Sequence, residues 1–298
     1  MTGGRLALAA LLALCCVAPA GAGTLDRIKE SGKIRIGHRA DARPFSYVDQ
    51  AGKVTGYSVA LCEKVVDAVK MELGASALAV EYVKVDTEDR FDAVASGKVD
   101  LLCGAETVTL SRRQKVAFSV PIFASGISAV LRSDAPERLR AVLEGREPPY
   151  QTRWRANLAQ VLERRTLSAE AGTTAAAWLA KRREQLEVDA KIVEVPSYKE
   201  GLERVASGTS DAFFGDRAIL VEEVARGAPG KLVVLDYQYT HEPIALALAR
   251  GDEDFRLLVD RSLSAQYRSG DAARTYEHYF GVPDESTRSF FRLSVLPE

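Results

Sequence analysis

At 298 residues and 47% apolar content, the chain is long enough for two domains of ordinary size and a large buried core. Its 40 basic and 41 acidic side chains leave a net charge of −1, which excludes the basic excess expected of a nucleic-acid-binding surface. After the first 23 residues no stretch is apolar and uncharged over the roughly 20 residues that a membrane-spanning helix takes.

The chain opens with one positive charge, Arg5, an apolar run over 6–17, and the small residues Ala18-Pro19-Ala20-Gly21-Ala22. This is the pattern of a secretory signal peptide, with cleavage after Ala20 or, preferred, after Ala22. A lipid anchor on Cys15 or Cys16 is disfavoured because Leu14 is bulkier than the residue usual before a lipidated cysteine. Removing the leader deletes Arg5 and no acid, so the mature net charge becomes −2. It also leaves Cys62 and Cys103 in an oxidising compartment, where they either pair or stay as buried thiols acting as small hydrophobes, the second reading slightly preferred.

Strands are expected at 33–37, 78–83 and 99–102, alternating with helices at 59–73 and 90–96. In the first helix Leu61, Val65, Val66, Val69 and Leu73 recur at helical spacing and give one face to lay on a sheet. Parallel strands with crossover helices follow, and in such sheets ligands sit beyond the carboxyl ends of the strands. After residue 130 a second α/β run appears: helix 173–187, strand 191–194, helix 198–206, strand 211–214, helix 216–225 and strand 231–235. Within it Val205-Ala206-Ser207-Gly208-Thr209-Ser210-Asp211-Ala212 parallels Val94-Ala95-Ser96-Gly97-Lys98-Val99-Asp100-Leu101, which implies two similar lobes.

Several short motifs stand in a fixed order: Gly37-His38-Arg39 with Pro44-Phe45-Ser46-Tyr47, Asp89-Arg90, Thr107-Val108-Thr109-Leu110-Ser111-Arg112, Phe118-Ser119-Val120-Pro121, Gly172-Thr173-Thr174 and Phe213-Phe214-Gly215-Asp216. Their order resembles bacterial periplasmic amino-acid-binding proteins, the receptors of ATP-driven (ABC) uptake systems, and most of all the glutamate/aspartate-binding branch. The resemblance implies an α/β, two-lobed type II periplasmic binding protein fold with two parallel-core sheets. It places a discontinuous first lobe at 23–127 and 244–298, and a second lobe at 128–243 carrying an inserted segment at about 144–165. Extended segments at 122–132 and 241–250 would cross between the lobes as a two-strand hinge, and the helical tail 252–280 would return to the first lobe.

In that family the arginine matching Arg112 clamps the ligand α-carboxylate and the threonine matching Thr107 helps hold the α-ammonium. A guanidinium presents paired donors that fit a carboxylate, and charged hydrogen bonds are the strong ones. Thr173 and Thr174 would open a second-lobe helix toward an anion, and Asp216 would take the ammonium or cap the helix after it. Arg39 and Arg90 match positions at the side-chain end of the ligand, with Thr87 adding a hydroxyl or capping a helix. Three arginines against one aspartate predict an acidic amino acid.

The chain departs from the branch at Ala105, where a serine is usual, and at Tyr198, where a histidine is usual, so a longer ligand, an amide or another acid stays open. Glu106 is expected to turn away from the face used by Thr107, on the alternation of a strand. The inserted segment reads as a short amphipathic helix with Trp154, Leu158, Val161 and Leu162 on its apolar side, packed outside the second lobe or docking a membrane partner. No cofactor or metal motif is present: His38, His241 and His278 lack ligand spacing. The expected partners are a free amino acid and the membrane subunits of an ABC permease, with the protein monomeric, in the periplasm and not bound to nucleic acid. The competing readings are a secreted dehydratase-like enzyme on the same fold, with Glu106 as its acid, and a sensor subunit for a membrane signalling protein.

Overall fold

The computed structural model describes residues 23–146, 161–227 and 229–297. The leader and most of the inserted segment, Trp154 and Leu158 included, lie outside the described residues. Numbered along the chain, the described strands begin with β1 (Lys33–His38), β2 (Asp41–Ala42), β3 (Ser46–Val48), β4 (Val54–Thr55), β5 (Ala79–Lys84) and β6 (Leu101–Leu102). They continue with β7 (Ala117–Ser125), β8 (Ile127–Arg132), β9 (Thr166–Glu170), β10 (Lys191–Val195), β11 (Ala212–Asp216), β12 (Leu232–Val234) and β13 (Glu242–Leu248).

Two five-stranded sheets organise the chain, in the orders β5-β1-β6-β13-β7 and β10-β9-β11-β8-β12, with a small β2-β3-β4 meander beside the first. Each sheet is mixed. β1 runs parallel to β5 and β6, and β9 runs parallel to β10 and β11, as crossover helices require. The remaining pairings, of β13 with β6 and β7 and of β8 with β11 and β12, are antiparallel. The expectation of parallel sheets therefore holds for the βα units alone.

Ile34 and Ile36 alternate along β1 and are buried, while helix Tyr57–Leu73 lays Leu61, Val65, Val66 and Val69 into the same core. That helix stops where Gly74 enters the left-handed region and its N–H turns back to the carbonyl of Lys70. The C-terminal helices rejoin the first sheet through an aromatic cluster. Phe280 of helix Asp271–Phe280 has its ring centroid 5.3 Å from Tyr57 and 4.7 Å from Phe123, and Tyr57 donates to the carbonyl of Ile122 at 2.8 Å. Each such ring contributes about 1.5–3 kcal/mol of burial.

The repeated octapeptide has a structural counterpart in each lobe. After helix Arg90–Ala95, Gly97 takes a positive φ of 70°, and after helix Tyr198–Ala206, Gly208 takes 76°. Each turn delivers an aspartate to the start of a neighbouring strand. Asp100 accepts the N–H of Arg35 at 2.8 Å, and Asp211 accepts that of Thr166 at 2.8 Å.

The chain passes from the first sheet to the second at Gly126, between β7 and β8, and returns between Leu235 and β13. The two passages touch: Thr240 accepts the N–H of Ile127 at 3.0 Å, and a Cβ on Gly126 would fall 2.1 Å from the carbonyl oxygen of Thr240. Only glycine fits there.

Cys62 and Cys103 form a disulfide with their Cα atoms 6.4 Å apart. This corrects the preference for free thiols. The helix Tyr57–Leu73 presents Cys62 on its buried face, which lies against the end of β6 where Cys103 follows, so both thiols point into one core. Among the described residues no helix is long and apolar enough to cross a membrane.

Candidate ligand-binding cleft

A cleft between the sheets is lined by all nine expected residues: Arg39, Thr87, Arg90, Thr107, Arg112, Thr173, Thr174, Tyr198 and Asp216. The elements explain the convergence. Arg39 follows the carboxyl end of β1, Arg90 opens a helix, and Arg112 sits in the turn after the extended segment at 107. From the other sheet, Thr173 and Thr174 begin helix Thr174–Leu186 and Asp216 ends β11. All lie at strand ends or helix starts, where an open α/β sheet places its ligands.

Two further carboxylates share the cleft. Glu106 is 2% exposed and accepts from Arg90 Nε at 2.6 Å. The strand alternation that would turn it away does not apply, because β6 ends at Leu102 and a bend at Gly104 intervenes. Glu170, the last residue of β9, is also 2% exposed; its Oε1 accepts from Arg39 Nη2 at 2.9 Å and from Thr87 Oγ1 at 2.7 Å. Thr87 is thus not a helix cap; its hydroxyl serves Glu170. Beside the cleft, Glu242 Oε2 accepts from Thr107 at 3.0 Å and from Thr174 at 2.8 Å, bridging the two lobes. The count of three arginines against one aspartate is corrected accordingly: the lining holds Arg39, Arg90 and Arg112 with Glu106, Glu170 and Asp216.

Electrostatics separate these groups. Burial works against the Arg39 guanidinium, but Glu170, Asp41 and Glu106 outweigh it and raise its pKa. Arg112 is different. Among the described residues its guanidinium donates only to backbone carbonyls, Thr107 at 2.8 Å and Gly172 at 3.4 Å, while burial and the neighbouring charge of Arg90 lower its pKa to about 10. Desolvation raises Asp216 to about 6, although its Oδ1 accepts the N–H groups of Ala218 at 2.9 Å and Ile219 at 3.3 Å and so caps the following helix. Burial likewise raises Glu170, against the pull of Arg39 and Thr87. A cation and an anion that have no ion-pair partner among the described residues therefore face one cleft, the complement of a zwitterion.

The remaining expected residues have narrower parts. Thr173 accepts the N–H of Ala176 at 3.2 Å as the helix N-cap and donates to the carbonyl of Glu170 at 2.6 Å, so its hydroxyl is engaged within its own lobe. Tyr198 is buried, and its hydroxyl accepts the N–H of Asp216 at 2.9 Å, fixing the end of β11. His38 is buried behind Arg39, with Nδ1 3.2 Å from its carbonyl oxygen.

Residues 34–282 match the family model of bacterial extracellular solute-binding proteins, family 3. The chain belongs to that family. It is 32% identical over 278 residues to the L-glutamate/L-aspartate-binding protein of Pseudomonas aeruginosa, covering 93% of this chain and 86% of the relative. It is 28% identical over 280 residues to the glutamate/aspartate import solute-binding protein of Escherichia coli, again covering 93% and 86%. Among solved structures, the cysteine-binding protein of Campylobacter jejuni superposes with a TM-score of 0.71 at 22% identity, covering 90% of this chain and 98% of that one, a likeness that concerns the fold. The two-lobed type II architecture expected from the sequence is that of this family member.

Sequence reasoning missed Glu170 and Glu242. The run Thr166-Leu167-Ser168-Ala169-Glu170 stands just before Gly172-Thr173-Thr174, and a strand is needed there to feed the helix; its last residue then faces the cleft.

Proposed function

We propose that this family member is a periplasmic receptor for an acidic amino acid, exported by the leader at 1–22, which captures its ligand by lobe closure and hands it to an ABC permease. The observation that carries this reading is the pairing of Arg112 from one lobe with Asp216 from the other, each lacking an ion-pair partner among the described residues while its neighbours are paired. Arg112 takes the α-carboxylate. Asp216 takes the α-ammonium, with Thr107 beside it. Arg39, Arg90, Thr87 and Tyr198 surround the side-chain end, and Thr173 and Thr174 bring the N-terminus of helix Thr174–Leu186 to the anion.

The identity to glutamate/aspartate-binding relatives supports the ligand class. Closure occurs about the paired passages at Gly126 and Thr240, with first-lobe and second-lobe boundaries near 127 and 243. A ligand shifts the lobes only by binding the closed form better, which contacts from both lobes provide. The protein acts as a monomer and by binding rather than by turnover. Titration calorimetry tests the reading: L-glutamate or L-aspartate binds the signal-free protein, and Arg112→Ala and Asp216→Ala each abolish the heat. A wild-type protein that binds neither acid overturns the ligand class.

A further inference from the structure

Charged groups of the two lobes already pair across the cleft. Its cavity volume of about 40 Å³ is room for little more than a water molecule or two. Glu170 crosses from the second lobe to Arg39 and Thr87 of the first, the two groups expected to receive a ligand's side-chain carboxylate. Arg90 is held by Glu106. Once Arg112 and Asp216 take the α-groups of an amino acid, the remaining lining is two arginines against two glutamates, with Asp41 2.8 Å from Arg39 Nη2 at the rim. A ligand side chain bearing a third carboxylate would be buried without a free cation, which is costly.

Resting on the acidic-ligand reading above, we propose that Glu170 is a specificity-determining residue: it holds Arg39 and Thr87 in place of the ligand's side-chain carboxylate, and it yields them by taking up one proton. Capture of glutamate or aspartate is then proton-coupled, whereas capture of glutamine or asparagine is not, since an amide brings no charge and can donate to Glu170 as it stands.

The groups facing Glu170 fit this role. Arg39, Asp41 and Thr87 approach from the first lobe, with Glu106 beyond Arg39; Tyr198 and Asp216 lie on the second-lobe side. Bringing a third carboxylate to Arg39, beside Glu170 and Asp41, adds a like charge next to Glu170, and burial already favours its protonated form. The sign follows. A ligand that needs Glu170 protonated binds more weakly as pH rises, by up to about tenfold per pH unit for one proton. Asp216 acts in the opposite sense, because a ligand ammonium favours its ionised form, but that effect is shared by acids and amides and is mostly past above pH 6.5.

The test is calorimetry of the wild-type, signal-free protein with L-glutamate at pH 7.5 in buffers of different ionisation enthalpy, followed by dissociation constants between pH 6.5 and 8.5. Uptake of close to one proton and at least about a tenfold weakening over that range are expected. Glu170→Gln should bind glutamate at least about tenfold more tightly at pH 8.5 and lose the proton uptake. Wild-type protein that binds glutamate with no proton uptake overturns this inference and leaves the receptor reading standing. Protein that binds no acidic amino acid at any of these pH values overturns both. Because the proton count is taken on the wild type, the outcome does not depend on the folding of the variant.

Discussion

The two lobes are built alike but line the cleft with opposite charge. Each has a βα unit ending in Ser-Gly, then an aspartate that grips the backbone of the adjacent strand. Yet the cleft arginines, Arg39, Arg90 and Arg112, all come from the first lobe, while the second supplies Glu170 and Asp216. The scaffold thus repeats where packing requires it and diverges at the strand ends that line the cleft. A cationic wall thus faces an anionic wall, and the protein's own Glu170 already bridges the two.

The lobes differ most in how they are stabilised, and the largest expected effect breaks that difference. The disulfide joins residues 41 apart in the first lobe, and closing a loop of that length restricts the unfolded chain by about 4 kcal/mol. Cys62→Ala with Cys103→Ala should lower stability to urea by about that amount, with first-lobe probes lost before second-lobe ones. Next come the twin aspartates. The Asp100 side chain is wholly buried and meets both Arg27 and Arg35, whereas that of Asp211 is 28% exposed and meets Arg165. Asp100→Ala should cost about 3 kcal/mol or more and Asp211→Ala about 1, as read from paired denaturation curves.

A smaller effect concerns Asp216. Its folded pKa of about 6 lies above the ordinary carboxylate value, so the folded state holds more protons than the unfolded and stability falls as pH rises from about 4 through 6. Asp216→Asn should therefore raise the melting temperature of the ligand-free protein at pH 7.5, by about 1 kcal/mol in stability, while weakening ligand binding. Equal melting temperatures at pH 7.5 would argue against the desolvated anion.

How far this could be read from the chain follows the same division. The repeated scaffold was legible: helix Tyr198–Ala206 falls on its expected bounds, and the other βα elements lie within a few residues of theirs, because apolar periodicity and the Ser-Gly turns report packing directly. The three arginines and Asp216 were legible because each stands in a motif at the end of an element. Glu106 was misread because alternation was carried past the end of β6 into a bend, and Glu170 was missed because β9 was not assigned. The antiparallel pairings of β8 and β13 leave no local mark, since they depend on where the chain crosses between the lobes.

The most direct test of the central claim is calorimetric titration of the wild-type protein and of Arg112→Ala and Asp216→Ala with L-glutamate. The account predicts binding by the wild type and a loss of at least about 100-fold in each variant, as expected when a charged hydrogen-bonded contact worth about 3 kcal/mol is removed from either lobe. Binding that survives Asp216→Ala at wild-type strength would contradict a ligand held between the two lobes.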